Sequence, residues 1–350
     1  MKISQITKSR LSSKEKAFIH NELKMVSRSF YLTLKVLPRE IFTPAGIAYL
    51  IARYIDDIVD NESLPINSKT SHLYEIRKSF TNTLSNNDLS KSLHCNIKGC
   101  CSKITSYKKV FDNLSSENQH IVSKVLLHIT DGMSFELEKL VPHSPNEVNF
   151  LNTYSELDTY IYKIAGSVGE FFSNLILLHE KKLELSDTDY FFELSSDFGK
   201  ALQLTNIIRD FNSDLIEGKC YIPKSSLEHL NFDSYKLLNH HENQIGLALS
   251  ELLPLTTKYY VRAATYIMLI PKSLPRLRLA ALWPFLIGVE TLNKLASNKN
   301  QHDLKTPIKV KRKWIYIMIT KSLFLIHNDK TLKFILNRQI QKLYYRVSNL

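Results

Sequence analysis

Two short stripes of carboxylates are the part of this 350-residue chain best suited to chemistry. The first lies in Tyr49-Leu-Ile-Ala-Arg-Tyr-Ile-Asp-Asp-Ile-Val-Asp60, where Tyr49, Arg53, Asp56 and Asp60 stand at i, i+4, i+7 and i+11. The second lies in Phe198–Asp214, where Gln203, Asn206, Asp210 and Asp214 stand at i, i+3, i+7 and i+11. At about 100° per residue, each set falls on one narrow face of a helix. Unpaired charge is costly away from water, so such a face either meets solvent or binds something cationic. Asp56 and Asp60 project their oxygens from consecutive turns, close enough to share a hard cation. Two such helices facing each other would offer four carboxylates suited to Mg²⁺, which takes oxygen ligands and leaves room for phosphate oxygens. The chemistry this fits is departure of a diphosphate, leaving a carbocation.

The elements that must position these residues read as helices. Nothing breaks a helix between Lys200 and Asp214, and Gly218-Lys-Cys-Tyr-Ile-Pro223 closes it. The two amides and that sharp stop argue for a lined cleft, with Leu202 and Ile208 turned toward neighbouring helices. Upstream, residues 13–36 read as one helix carrying Ser27-Arg-Ser-Phe-Tyr31, and Pro38 and Pro44 bracket a short turn. Ser27 and Arg28 either line a water-exposed edge or hold phosphate, for which arginine offers a planar fork of donors. Asn61 to about Ser71 reads as a loop around Pro65, and Ser85–Lys103 as a polar surface segment. A helix over Asn118–Leu140 places Asp131, Glu136 and Glu138 on a solvated face.

In Tyr160–Gly169, the residues Ala165, Gly166 and Gly169 make one side small. Glycine lowers helix propensity, and the usual return is close approach of a backbone or a ligand. The flanks look helical, so a phosphate loop is poorly supported here. Tyr160 is either core or lines the same cavity. Beyond Pro223 the expectation is a polar connection, a helix from about Ile245, a further helix near Tyr259–Leu269, and an apolar segment over Leu277–Leu295. That last segment carries Arg278, Pro284, Glu290 and Lys294, so it reads as buried or membrane-leaning rather than spanning. From Lys309-Val-Lys-Arg-Lys-Trp314 onward the tail reads as an amphipathic helix that touches membrane or packs on the body.

With 44% hydrophobic residues, nine Gly and eleven Pro, the chain can bury a large core, and 3.6-residue periodicity dominates. An all-helical single domain over 1–350 follows, with a core at about 15–300 and a basic tail at 301–350. The net charge of +12 suits an anionic membrane surface or a diphosphate. No finger, helix-turn-helix or basic-aromatic groove supports nucleic acid as a partner. His94, Cys95, Cys100 and Cys101 cluster without paired zinc spacing and read as a reduced cytosolic loop, with Cys220 apart. The first residues lack the apolar core of a signal peptide. The expected location is therefore cytoplasmic, peripheral on the inner face of a membrane.

Taken together, the stripes, the Ser-Arg-Ser-Phe segment, the Tyr160–Gly169 segment and Gln203-x-x-Asn206-Ile-x-Arg209-Asp210-x-x-x-Asp214 resemble the squalene/phytoene synthase family. The likeness runs over about 20–225 and more weakly to about 315. It implies an all-α isoprenoid-synthase bundle around a central cavity, with two facing Asp-rich helices. The implied reaction joins two allylic prenyl diphosphates head to head. By this resemblance Asp56, Asp60, Asp210 and Asp214 bind Mg²⁺, and Gln203 and Asn206 assist at the second metal-diphosphate site. Tyr49, Arg53, Arg209, Tyr221, Ser27 and Arg28 hold diphosphate oxygens, and Tyr160 guides proton removal and shields the cation. Details such as Thr205-Asn-Ile-Ile-Arg-Asp favour farnesyl diphosphate as substrate and squalene as product, with NADPH as reductant. Phytoene or dehydrosqualene formation without NADPH is the alternative, and an inactive helical scaffold is a third reading. Asp57, Val59 and Ser213 stand where many relatives carry Thr, an acid and a third acid.

Overall fold

The computed structural model describes residues 11–26, 30–81, 100–142, 144, 147–229, 244–297 and 310–349. Their regular structure is helical apart from two two-residue strands. The chain divides into two compact units, residues 1–137 with 171–182, and residues 138–170 with 183–350.

In the first unit, α1 (Ser13–Val26), α2 (Phe30–Lys35), α4 (Ile66–Thr81) and α5 (Cys100–Asp112) pack around α3 (Arg39–Val59). Residues 27–29, between α1 and α2, lie outside the described residues. Helix α3 is central because its apolar positions, among them Ile47, Leu50, Ile51, Ile55 and Ile58, are buried along its whole length. The expected turn between Pro38 and Pro44 is absent. Pro38 caps the helix, its carbonyl accepting from the Phe42 amide at 2.8 Å, and Pro44 sits inside. A proline so near a helix start forfeits only one ladder bond, and its buried ring repays that by packing. The loop expected to reach Ser71 likewise ends at Pro65, whose carbonyl accepts from the Ser68 amide at 2.9 Å to begin α4. Cys100 to Lys103, read as loop, open α5, while Cys95 lies outside the described residues.

The second unit is built on α9 (Thr188–Ile216). Around it pack α7 (Tyr154–Ile161), a π-helical turn at Tyr162–Gly166, α11 (Gln244–Leu269) and α12 (Pro275–Ser297). Helix α6 (Ser116–Lys139) and helix α8 (Ser167–His179) each run across a boundary between the units. Short helix α10 (Lys224–His229) follows Pro223. The two helices expected after Ile245 are one, since Pro254 lies within α11. Its missing amide leaves only the Ser250 carbonyl, on the exposed side of the helix, to water. The run Tyr154–His179 has the length and mean hydropathy, 1.2, to cross a membrane. Its Tyr154–Gly166 portion instead packs against α9.

Helix α12 is buried by Leu279, Leu282, Phe285, Val289 and Leu292, which fulfils the buried reading of Leu277–Leu295. The tail is two helices rather than one, α13 (Arg312–Leu325) and α14 (Asp329–Val347). Arg278, 2% exposed, ties them to α12. Its guanidinium donates to the Ile270 carbonyl, to the Ile326 carbonyl at 3.2 Å and to Asp329 at 2.6 Å. Replacing it strands two carbonyls and takes the partner from the half-exposed Asp329 carboxylate. Arg278→Leu should therefore lower unfolding free energy by about 3 kcal/mol, read from urea denaturation. Parent-like stability would show that this buried ion contributes nothing.

Candidate active site

Helix α3 presents the first stripe as expected. Asp56 closes its last turn, and Asp60 caps it with its amide donating to the Asp56 carbonyl at 2.9 Å. Arg53 reaches forward with both arms, to Asp56 at 2.9 Å and to Asp57 at 2.7 Å. Asp57, which lies off the stripe, thus shares its cation. Burial and the charge of Asp60 together push the Asp56 carboxyl up to about 6, more than Arg53 can pull it back. Glu136 adds to that push. The solvated face expected for Glu136 is wrong, because α6 buries this residue to 6% exposure. Glu138 is exposed, and Asp131 pairs with Arg77. Periodicity places Glu136 beside Met133 and Leu137, which are buried too, and that is the signal that could have found it. Ser27 and Arg28 lie outside the described residues.

Helix α9 presents the second stripe. The Asn206 amide donates to the Gln203 side-chain oxygen at 3.5 Å, one turn apart. Arg209 grips Asp210 with two donors, Nε to Oδ1 at 2.8 Å and Nη2 to Oδ2. That hydrogen bonding raises the guanidinium's pKa, and Asp214 adds to the effect. Leu202 is half-buried and Ile208 fully buried, as expected for positions off the stripe.

The helix stops at Gly218, whose φ of +77° is a left-handed conformation that glycine adopts without strain. A side chain there would meet the Glu147 carbonyl at 2.5 Å. The turn delivers β2 (Lys219–Cys220) parallel to β1 (Asn149–Phe150), with the Asn149 amide donating to the Gly218 carbonyl at 2.9 Å. Burial pushes the Cys220 thiol up to about 12, so it is an inert core group. The same clip sets Tyr221 against Tyr160 of α7. Their rings stack at 5.1 Å and 28°, with the hydroxyls 3.5 Å apart, both residues buried. Two site candidates 61 residues apart are thereby brought together.

One group went unread in the sequence. Lys200, one turn before Gln203, donates to both Asp158 oxygens at 2.7 and 2.9 Å, and the Tyr259 hydroxyl donates to the same carboxylate at 2.8 Å. The ammonium also lies over the Tyr162 and Tyr259 rings. Asp158 is separated by 42 residues, so no local spacing announces the pair.

Each stripe supplies two oxygen-only carboxylates, a donor set that fits a hard divalent cation. Among the described residues no three His, Cys, Asp or Glu side chains converge on one point. Asp56 and Asp60 on one helix, and Asp210 and Asp214 on the other, would each hold such an ion from one side.

The fold has solved counterparts. A ligand complex of TcSQS superposes with a TM-score of 0.75 at 19% identity, covering 96% of both chains. A dehydrosqualene synthase complex gives 0.63 at 20% identity, covering 89% of this chain and 96% of that one. At these identities the likeness is one of fold, the all-helical isoprenoid-synthase fold.

In sequence, the squalene synthase of Saccharomyces cerevisiae is 24% identical over 302 residues, 86% of this chain. The chain spans less than two-thirds of the curated relatives it matches, 65% of that protein and 43% of the Schizosaccharomyces pombe squalene synthase. The squalene/phytoene synthase family matches over residues 23–314, and the chain belongs to it.

Proposed function

We propose that this protein is a Mg²⁺-dependent prenyltransferase that condenses two farnesyl diphosphates head to head, 1′ to 1, through presqualene diphosphate to squalene. The observation that carries the reading is the pair of acidic stripes, each on the central helix of its own unit, within a family match that spans both. On this reading the chain acts as one catalytic domain over 1–350.

Asp56, Asp60, Asp210 and Asp214 would hold Mg²⁺, which when bound neutralises the departing diphosphate. Tyr49, Arg53, Arg209 and Tyr221, with Ser27 and Arg28, hold diphosphate oxygens through charge-assisted and hydroxyl donors. Arg209 is already oriented by its two-point grip on Asp210. Gln203 and Asn206 supply neutral polar contacts beside the second stripe, adding no charge to it. Tyr160, buried against Tyr221, offers a π-face to a developing carbocation and a hydroxyl to guide its proton away. Apolar helices away from the stripes exclude water from the cation. NADPH would supply the hydride that reduces presqualene diphosphate. We place the protein in the cytoplasm, peripheral on the inner face of a membrane.

The fold likeness to a dehydrosqualene synthase favours one second reading, condensation without reductant to dehydrosqualene, or to phytoene from the longer diphosphate. Labelled farnesyl diphosphate with Mg²⁺, with and without NADPH, separates the readings. Squalene only with NADPH, and presqualene diphosphate without it, is the expected result. Dehydrosqualene in both samples would replace the first reading with the second. Turnover of geranylgeranyl diphosphate alone would indicate a phytoene synthase. No turnover of either would leave an inactive helical scaffold.

A further inference from the structure

The outer side of α13 is apolar where a surface helix is ordinarily polar. Tyr316, Ile317, Leu323 and Phe324 are 62%, 45%, 48% and 79% exposed. They stand at i, i+1, i+7 and i+8, which puts all four on one side of the helix. That side cannot roll inward, because the opposite one is fixed. Ile315, Met318 and Ser322 are buried, and Trp283 donates to the Ser322 hydroxyl at 2.8 Å. Scattered single apolar residues on a surface need no explanation, but four large ones sharing one side of a helix mark an interaction surface.

Charge selects the partner. Lys311, Arg312, Lys313 and Lys321, all exposed, flank the patch. Between Lys311 and Asn349 the only acid is Asp329, and Arg278 already holds it. A second copy of this chain would bring the same positive face and be repelled. An anionic bilayer complements both features, with lysines and arginine meeting headgroups and aromatic and aliphatic side chains reaching the acyl boundary.

We propose that this face of α13 docks the protein on an anionic lipid bilayer, lying in the headgroup layer without crossing it. The inference deepens the peripheral placement proposed above and names its surface and its lipid class.

The test is flotation of the purified full chain with phosphatidylcholine vesicles, with and without phosphatidylserine. The parent should float with the anionic vesicles only. The double variant Ile317→Ser/Phe324→Ser should lose at least about tenfold in partitioning. Lys313→Ala should lose roughly fivefold, about the worth of one charge near the surface. All three positions are exposed, so the thermal melts should match the parent. Turnover of farnesyl diphosphate in detergent should also stay at the parent's level, which keeps this result separate from the catalytic reading. Parent-like flotation of the double variant, or flotation indifferent to phosphatidylserine, would overturn the proposal. So would a dimer in sedimentation velocity that the double variant abolishes, which would assign the face to a second copy.

Discussion

Asp56→Asn should melt at a higher temperature than the parent at pH 8 without divalent cation, and should turn over farnesyl diphosphate about a hundredfold more slowly with it. The two effects share one cause. Burial and the neighbouring Asp60 push the Asp56 carboxyl up to about 6 in the native protein, against 3.8 ordinarily. Between those values the native state holds more protons than the unfolded state, so stability falls as pH rises through that window. Above it the ionised group remains a full burden. Its side chain is a third exposed, so after allowance for solvent screening the burden is about 1–2 kcal/mol. Asparagine removes it, and the gain should vanish below about pH 4. Mg²⁺ should raise the Tm of the parent more than that of the variant, because the ion relieves the same repulsion. Asp56 would hold the ion that neutralises the departing group, and loss of one electrostatic contact of that kind typically costs a hundredfold or more in rate. A variant less stable than the parent at pH 8 would mean that Arg53 already balances the site.

Gly169→Ala should destabilise the protein by about 3 kcal/mol, the largest effect expected from adding one methyl group. The new Cβ would lie 1.8 Å from the Ser195 carbonyl oxygen, and across the same crossing a Cβ on Gly199 would lie 2.0 Å from the Ala165 carbonyl. Both obstacles are backbone, so the helices must part rather than a rotamer turn. Overpacking of this kind costs about 1–3 kcal/mol and sometimes more. The better helix propensity of alanine offsets under about 1 kcal/mol of it. Gly166→Ala is the internal comparison. Its Cβ would meet the Ser196 hydroxyl at 2.8 Å, a group that can rotate aside, so the cost should be less than half as large. Denaturant midpoints for the two variants decide the matter, and equal losses would show that the crossing adjusts as a body.

Both acidic stripes, the small side of Tyr160–Gly169 and the stop at Gly218 were legible because each depends on residues within a few turns of one another. Side-chain spacing on a helix is local geometry, and so is the need for glycine at a left-handed stop. What escaped depends on distance or on tolerance. Glu136 is acidic in a segment that also reads as a surface face, and only the packing around α6 removes it from water. Lys200 and Asp158 meet across the fold. Pro44 signals a turn, and the segment holding Pro254 reads as two helices, yet each proline deletes a single ladder bond, a loss smaller than the burial gained by continuing the helix. The stacking of Tyr160 on Tyr221 needed the short parallel clip of β1 and β2, which two residues per strand cannot announce.

The π-helical turn at Tyr162–Gly166 alters the phase of everything that follows it. Along an uninterrupted α-helix, the nine residues from Tyr160 to Gly169 would rotate through about 900°, leaving the two on opposite sides. The wider turn absorbs one residue, so the effective rotation falls to about 800° and the two come within roughly a quarter turn of each other. The segment can then aim a tyrosine at Tyr221 and press a bare backbone onto α9 from neighbouring sides. In sequence terms, the turn is equivalent to a one-residue insertion that was retained, and the helix holds two registers joined at a seam.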